Sequence, residues 1–229
     1  MIKRVIFDID NTLIPWKNEY HNEIYNVLKQ LKIECTENDF NKIKQAMSKY
    51  ENVYYSFNQK NMINYINEYT NKTYPDEFIY AIIDKWTECV PEQLPETTIK
   101  TLEYLKNKYE LVILTDWYKE PQIKRLKKVG ILKYFKEIYC AENTKRKPFK
   151  EAFMQAVETN EPEECIMIGD WFERDIEGAL KAGLQAIYYN PKDTKKNGDI
   201  SYYKYEDGGE EKESKYYTVS KLDEIINIL

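Results

Sequence analysis

The chain of 229 residues is 42% hydrophobic and 32% charged, and its 34 Lys and Arg against 39 Asp and Glu give a net charge of −5. This composition is typical of a globular protein and excludes a disordered or collagen-like chain. The acidic balance argues against a nucleic-acid partner, because phosphate backbones bind to basic surfaces. No apolar run approaches the ~20 residues of a membrane-spanning helix, so we expect no membrane partner. The first residues lead directly into a strand pattern, and no signal peptide is expected there.

The first third of the sequence predicts one strand followed by helices. Residues 3–9 form a short apolar run that ends at acidic and turn residues, which predicts a buried strand. Apolar residues at helical spacing then predict four amphipathic helices, at residues 20–31, 40–50, 62–69 and 78–86. Thr36 and Asp39 form a candidate capping box before the second of these helices. No strand pattern interrupts the helices, and Pro91 and Pro95 end the helical run.

The rest of the sequence alternates between helix and strand patterns. Helices are predicted at residues 97–109, 119–129, 149–159 and 173–182, and strands at residues 111–114, 137–140, 165–168 and 185–189. Such alternation indicates crossover units and a parallel sheet. The sequence therefore predicts an α/β domain at residues 1–15 and 92–229, with a helical insert at residues 16–91. The polar residues 190–215 are interpreted as an exposed loop or hairpin without an assigned function, and residues 220–229 as a short amphipathic helix.

Cysteine and histidine usage limits the chemistry that the chain can perform. The four cysteines are widely spaced, which excludes a disulfide scaffold and a zinc cluster. They predict buried, reduced thiols and a cytoplasmic location. The single histidine, His21, excludes an HExxH zinc site and weakens any Ser-His-Asp proposal. His21 is expected to be an ordinary surface or boundary residue, so carboxylates and lysine are the candidates for catalysis.

Polar clusters follow four of the predicted strands. They are Asp8–Thr12, Thr115–Asp116, Lys147–Pro148 and Gly169–Asp170, the last with Asp175 five residues on. Any one of them could be an ordinary turn or helix cap. Four in order, each after its own strand, indicate a shared site, because ligands bind at the carboxyl ends of the strands in open α/β sheets.

The residue types in these clusters suit phosphoryl chemistry. Asp8 and Asp10 are two residues apart, so that one carboxylate can attack an electrophile while the other acts as general acid and then base. Asp170 adds a third carboxylate, and converging carboxylate oxygens suit Mg²⁺. Together with a metal ion, Lys147 would offset the charge of a phosphoryl group, and Thr115 offers a hydroxyl donor to it.

In this order, the four clusters resemble the motifs of the haloacid dehalogenase-like (HAD) hydrolase superfamily over essentially the whole chain. The matching residues are Asp8, Asp10 and Thr12 for D-x-D-x-T, then Thr115, then Lys147 before a proline, then Gly169, Asp170 and Asp175 for G-D-x-x-x-x-D. The resemblance implies a Rossmann-like parallel sheet, and the helical insert looks like the C1-type cap of the family. Asp10 favours the phosphatase branch, because the dehalogenating branch lacks an acid at that place.

The resemblance also implies a role for each matching residue. Asp8 would be the nucleophile that forms an aspartyl-phosphate, and Asp10 would protonate the leaving oxygen and later activate water. Mg²⁺ would be bound by the side chains of Asp8 and Asp170 and the backbone carbonyl of Asp10, with Asp175 bound to the metal or just behind its ligands. Thr115, Asp116 and Lys147 would hold the phosphoryl group of the substrate.

These features predict a Mg²⁺-dependent phosphohydrolase that acts on a small phosphorylated metabolite, a phosphomonoester. A phosphomutase with the same Asp8 and Asp10 is the alternative enzyme, and a non-catalytic protein of the same fold is the alternative from another class. Neither the identity of the substrate nor the oligomeric state follows from the sequence.

Two assignments within the motifs are left open by the sequence. Lys145 competes with Lys147 for the third motif, and the proline that follows favours Lys147. Asp116 could cap the following helix or offer its backbone N–H to phosphate, and a structural role is favoured for its side chain.

Several residues near the motifs are open between substrate binding and packing. Trp117 and Trp171 each lie one or two residues past a motif, where they could line a pocket or pack between domains. Trp16 and Lys17 lie at the start of the insert and are candidates for its entrance.

Overall fold

The computed structural model describes residues 1–16, 20–142, 144–193 and 198–229. Within these residues one mostly parallel sheet has the strand order β3-β2-β1-β4-β5-β7-β6. Its strands are β1 (Arg4–Phe7), β2 (Glu110–Thr115), β3 (Ile138–Cys140), β4 (Cys165–Gly169), β5 (Gln185–Tyr189), β6 (Asp199–Asp207) and β7 (Glu210–Val219). The prediction of an α/β fold is confirmed.

The helices of the described residues fall into two groups along the chain. The first group is α1 (Tyr20–Gln30), α2 (Glu37–Val53), α3 (Gln59–Thr70) and α4 (Asp76–Glu88). The second group is α5 (Glu96–Lys106), α6 (Lys119–Lys128), α7 (Lys150–Val157) and α8 (Gly178–Ala182). None of these helices combines the length and apolar character needed to cross a membrane.

The first group, α1–α4, is called the helical insert below. It follows β1 in the chain, as predicted, and its helices bury a common apolar cluster that includes Ile24, Ile43, Ile66 and Ile82. Each of these isoleucines lies on the apolar stripe that the helical spacing placed toward the core. The exact division into domains at residues 16–91 stays a prediction.

The predicted capping box at the start of α2 is present. The Thr36 hydroxyl accepts a hydrogen bond from the Asp39 backbone N–H, and the Asp39 carboxylate accepts one from the Thr36 backbone N–H. The Lys72 ammonium donates to the same carboxylate at 2.6 Å. The hydrogen bonds from Lys72 and then Thr36 lower the pKa of Asp39 to about 2.

Strand β1 lies between β2 and β4 and explains where the polar clusters meet. It pairs in parallel with β2 on one side and β4 on the other, with Phe7 opposite both Ile113 and Ile168. Alternate residues of β1 face opposite sides, so that Val5 and Phe7 pack in one apolar cluster and Ile6 in another. The residues that follow β1, β2 and β4 therefore emerge together at one edge of the sheet, where the strand order reverses.

In the C-terminal region one interpretation is confirmed and one expectation is wrong. Of the two interpretations for residues 190–215, the structure has the hairpin, although residues 194–197 lie outside the described part of the chain. The hairpin, β6–β7, joins the main sheet, because β7 runs parallel to β5 with Tyr217 opposite Ile187. The helix expected at residues 220–229 is a 3₁₀ segment, Leu222–Asn227.

The helix expected at residues 173–182 is also different, because a π-helical segment, Phe172–Glu177, precedes α8. In this segment the Trp171 backbone N–H donates to Asp175 Oδ2 at 3.0 Å, and the Asp175 N–H donates to the Trp171 carbonyl at 2.7 Å. The wide turn directs the Asp175 side chain back toward the end of β4.

The cysteines match the expectation of buried thiols only in part. Cys140 and Cys165 are buried in the sheet, whereas Cys35 and Cys89 in the helical insert are partly exposed.

Candidate active site

A cavity of about 450 Å³ lies at the carboxyl edge of the sheet, between the sheet and the helical insert. Asp8, Asp10 and Thr115 line it from the sheet, while Tyr20 and Glu51 line it from the insert. The cavity is thus walled by both parts of the fold.

Three carboxylates converge in this cavity. Asp8 follows β1, Asp170 follows β4 and Asp175 lies in the π-helical segment, and one oxygen of each lies within 4.8 Å of those of the other two. Asp8 and Asp175 are buried, and Asp170 is partly buried. The Thr12 hydroxyl lies 3.2 Å from Asp170 Oδ1 and 3.4 Å from Asp8 Oδ2, so it bridges the ends of β1 and β4.

Lys147 supplies the cation of this cluster. Its ammonium lies 2.7 Å from Asp8 Oδ1 and 2.6 Å from Asp175 Oδ1, and the side chain is almost fully buried. Lys145, its competitor in the sequence, is partly exposed and forms an ion pair with Glu151. The geometry therefore brings Lys147, and not Lys145, to the carboxylates.

The electrostatics of the cluster show an excess of negative charge. Burial raises the pKa of Asp8 well above its usual value against the opposing effect of Lys147, and Asp175 raises it further. Burial and then Asp175 raise the pKa of Asp170 to about 6. Burial alone would lower the pKa of Lys147, but Asp175 and Asp8 outweigh it and raise that pKa. One ammonium among three carboxylates leaves negative charge that a further cation could balance.

A divalent cation fits this donor set. Its ligand atoms are hard carboxylate oxygens, which Mg²⁺ prefers, and two positive charges would balance the excess of the cluster. Asp8, Asp170 and Asp175 are the residues that could hold it.

Gly169 allows this arrangement to form. A Cβ atom at this position would lie 2.3 Å from Asp175 Oδ2 and 2.4 Å from Asp175 Cγ, far inside a van der Waals contact. The glycine of the G-D-x-x-x-x-D pattern is thus needed because the second aspartate of the pattern packs against it.

Asp116, expected to contact phosphate, uses its side chain elsewhere. Its Oδ1 accepts a hydrogen bond from the Lys147 backbone N–H at 2.8 Å, and its Oδ2 lies 3.4 Å from Arg174 Nη1. Arg174 Nη2 in turn donates to Glu51 in α2 at 2.7 Å. The Asp116 side chain therefore has the structural role favoured from the sequence, and it helps to connect the loops of the sheet to the helical insert.

Asp10 lies in a second polar network. Its Oδ1 accepts a hydrogen bond from Arg125 Nη1 at 2.6 Å, and its Oδ2 accepts one from Gln122 Nε2 at 2.8 Å. Gln122 Nε2 also lies 2.9 Å from Thr115 Oγ1. The two aspartates of the first motif thus have different cationic partners.

Sequence reasoning missed Arg125 and Gln122. Both are fully buried on α6, a helix in which charged residues would ordinarily face solvent. Their spacing of three places them on one helical face, and this polar pair on α6, directly after the second motif, was the available signal.

Aromatic side chains form the other wall of the cavity. Trp16 stacks on Tyr20 with ring centroids 3.5 Å apart, and Trp86 and Trp117 complete the cluster within 6.4 Å of a neighbour. All four line the cavity. Trp117 also packs in the apolar cluster of the insert, so it both lines the cavity and packs between the insert and the sheet.

The rim of the cavity includes Trp171, which is half exposed. The centroid of its ring lies 4.0 Å from the Arg174 guanidinium carbon. His21 also lies at this rim and is exposed, as expected. Lys17 lies outside the described residues.

Comparison with known proteins gives consistent matches. A family model described as haloacid dehalogenase-like hydrolase matches residues 5–189. The protein YfnB of Bacillus subtilis is 30% identical over 141 residues, which are 60% of this chain and 54% of YfnB. The magnesium-bound crystal structure of YfnB has a TM-score of 0.72 to this chain at 20% identity, covering 100% of this chain and 98% of the other. At that identity the structural likeness shows the fold.

Two further relatives carry names of enzymes. Pyrimidine 5'-nucleotidase PynA of Streptococcus pneumoniae is 32% identical over 91 residues, 38% of each chain. N-acylneuraminate-9-phosphatase of Rattus norvegicus is 24% identical over 205 residues, 82% of each chain. The sequence matches thus span about half the length of YfnB and less of PynA, but most of the third relative.

Proposed function

The chain belongs to the haloacid dehalogenase-like hydrolase family, and from this premise we propose that it is a Mg²⁺-dependent phosphohydrolase acting on a small phosphomonoester. The observation that carries this proposal is the convergence of Asp8, Asp170 and Asp175 in one cavity, where Lys147 pairs with the first and the third. The enzyme names of PynA and the N-acylneuraminate-9-phosphatase support it as well, since both describe removal of a phosphate group. Their substrates differ, so the shared property is the reaction.

The proposed reaction runs in two steps on two carboxylates. Asp8 attacks phosphorus and forms an aspartyl-phosphate, while the bond to the leaving oxygen breaks and Asp10 gives that oxygen a proton. Water then attacks phosphorus, its proton passes to Asp10, and the bond between phosphorus and Asp8 breaks to release phosphate. Lys147, 2.7 Å from Asp8 Oδ1, orients the nucleophile for the first step.

The metal site proposed for Mg²⁺ uses the side chains of Asp8 and Asp170, with Asp175 as a further ligand or an adjacent support. The backbone carbonyl of Asp10 is a proposed ligand by the family resemblance. When bound, the cation offsets the negative charge of the phosphoryl group and of the attacking carboxylate. The magnesium in the crystal structure of YfnB supports this choice of ion.

Three residues are proposed to bind the phosphoryl group. Lys147 and Thr115 offer side-chain donors, and both are buried at the cavity wall. Asp116 offers its backbone N–H, because its carboxylate is engaged by the Lys147 N–H and lies beside Arg174. A cytoplasmic location stays a prediction from the cysteine pattern.

The organic part of the substrate is proposed to present a flat apolar surface. The wall opposite the carboxylates consists of Trp16, Tyr20, Trp86 and Trp117, and aromatic faces bind planar groups by stacking and area burial. A two-carbon phosphate ester would leave most of the cavity of about 450 Å³ unfilled.

Hydrolysis of 4-nitrophenyl phosphate with and without Mg²⁺ tests the proposed function. We expect activity only with the metal, loss of all activity in Asp8→Asn and loss of most steady-state turnover in Asp10→Asn. The exposed Asp84 of α4 provides a matched control, and Asp84→Asn is expected to keep full activity. Activity that survives Asp8→Asn would exclude Asp8 as the nucleophile. Weak hydrolysis that depends on a bisphosphate activator would instead indicate a phosphomutase.

A further inference from the structure

Arg125 is a fully buried cation beside the proposed acid and base. Its side chain has no solvent exposure, and burying a guanidinium is costly unless a carboxylate compensates it. The Asp10 carboxylate compensates it here, with Oδ1 2.6 Å from Arg125 Nη1. A fixed positive charge is therefore held directly against Asp10.

The surroundings of Arg125 leave it little freedom to move. Its Nη1 lies 2.6 Å from Asp10 Oδ1 and 2.7 Å from Gln122 Oε1, and its Nη2 lies 3.3 Å from the Tyr20 hydroxyl. The rings of Trp16 and Trp117 lie 5.6 and 5.5 Å from its guanidinium carbon, within the range of cation–π contacts. Hydrogen bonds and aromatic packing thus fix the position of the Arg125 guanidinium group.

Gln122 holds the other oxygen of Asp10, at 2.8 Å. A carboxylate bound at both oxygens cannot rotate without breaking a hydrogen bond. Each carboxylate oxygen can accept a second hydrogen bond, so Asp10 can still accept a proton from a water molecule. The donors come from one short face of α6, so their relative positions are set by a rigid element.

We propose that Arg125 and Gln122 are positioning residues that hold Asp10 as an oriented carboxylate for the second step, the attack of water on the aspartyl-phosphate. This inference rests on the proposed function. In that step a proton moves from water to Asp10, the new bond from oxygen to phosphorus forms, and the bond from phosphorus to Asp8 breaks. A base in the wrong orientation slows this step and leaves the phosphorylated enzyme to accumulate.

Pre-steady-state hydrolysis of 4-nitrophenyl phosphate separates the two steps. Its leaving group departs readily without a general acid, so the first step is insensitive to Asp10 and the second is not. For Arg125→Met and Gln122→Met we expect a burst of nitrophenolate equal to the enzyme concentration, followed by steady turnover slower by roughly 10- to 100-fold. KM should fall with kcat, and kcat/KM should stay within about threefold. Arg125→Lys, which keeps the charge but not the fork, should fall between wild type and Arg125→Met.

Arg4 provides the matched control, because it is an almost fully buried arginine in ion pairs with Glu110 and Glu158 and does not line the cavity. Arg4→Met should lower stability without producing a burst. If Arg125→Met loses kcat/KM without a burst, as a merely structural residue would, or if Gln122→Met behaves as wild type, the inference is wrong. The Gln122 variant remains informative if Arg125→Met does not fold.

Asp10→Asn distinguishes failure of the inference from failure of the proposed function. With this substrate it should show the same burst and slow turnover. If Asp10→Asn turns over at the wild-type rate, Asp10 is not the base, and this part of the proposed function is wrong. A burst in Asp10→Asn but in neither Arg125→Met nor Gln122→Met would overturn the positioning role alone.

Discussion

A single methyl group at Gly169 tests how closely the fold and the proposed metal site depend on each other. The Cβ of Gly169→Ala would meet Asp175 Oδ2 at 2.3 Å, so the carboxylate must move. Its movement would disturb the contacts of Asp175 with the Lys147 ammonium at 2.6 Å and the Trp171 N–H at 3.0 Å. Overpacking of this kind costs about 1–3 kcal/mol. For a chain of this size that lowers Tm by roughly 2–4 °C per kcal/mol.

Gly169→Ala should also weaken metal binding, and this effect can be measured separately from the cost of overpacking. At a Mg²⁺ concentration 100 times the dissociation constant, binding stabilises the folded state by about 2.7 kcal/mol. If displacement of Asp175 weakens binding tenfold, about 1.3 kcal/mol of that stabilisation is lost at the same concentration. Thermal unfolding at a series of Mg²⁺ concentrations measures both quantities without any substrate, because the metal-free Tm reports overpacking and the rise in Tm reports affinity.

Gly130→Ala is a suitable control for Gly169→Ala. Gly130 has a φ of +78° and nothing within 4 Å of a Cβ atom, so its substitution strains the backbone but leaves the carboxylates in place. We expect a lower Tm with an unchanged response to Mg²⁺. If Mg²⁺ raises the Tm of Gly169→Ala as much as that of wild type at every concentration, then Asp175 is not part of the metal site.

Three further predictions concern other parts of the molecule. Hydrogen bonds, first of all from Lys72, lower the pKa of Asp39 to about 2. The contribution of the Asp39 carboxylate to stability is therefore fully present above its unfolded pKa of about 3.9. That contribution is lost as pH falls toward 2, so the stability deficit of Asp39→Asn in urea unfolding should shrink between pH 6 and pH 3, and a constant deficit would contradict this. Trp171→Ala should raise KM for aryl phosphates roughly two- to tenfold with little change in Tm, whereas an equal KM would exclude stacking at the rim. A double-mutant cycle of Glu51→Gln and Arg174→Gln should give a coupling of up to about 1 kcal/mol that weakens with salt, and zero coupling at low salt would show that the contact does not stabilise the fold.

The sequence predicted the sheet well, because parallel strands obey simple rules. Residues that follow neighbouring parallel strands must emerge at one edge, so the sequence predicts that Asp8, Thr115 and Asp170 lie near each other. The structure brings Asp8 and Asp170 to within 4.8 Å of a common partner, Asp175. The helices of the insert were equally easy to predict, since each helix needs only one apolar stripe.

Other features could not be predicted, because they depend on contacts between distant segments. Strand β7 pairs in parallel with β5, and Tyr217 lies opposite Ile187. The hairpin to which β7 belongs has a polar sequence, which gives no sign of this pairing. The burial of Arg125 is set by Trp16 and Tyr20, from the start of the helical insert, and by Trp117, from the loop after β2. A charged residue on a short helix is usually solvated, and the packing of those aromatic rings together with the ion pair to Asp10 reverses that expectation here.

The two aspartates of the first motif illustrate how surroundings can divide roles between identical side chains. Asp8 shares the Lys147 ammonium with Asp175 and is surrounded by other carboxylates, so its charge is only partly compensated. As the proposed nucleophile, Asp8 would gain from a further positive charge in the cavity, such as the proposed metal ion. Asp10 instead has the Arg125 guanidinium at 2.6 Å, a partner that does not depend on metal or substrate. In the proposed second step Asp10 acts after the leaving group has departed, and Arg125 can hold the orientation of its carboxylate without any group from the substrate.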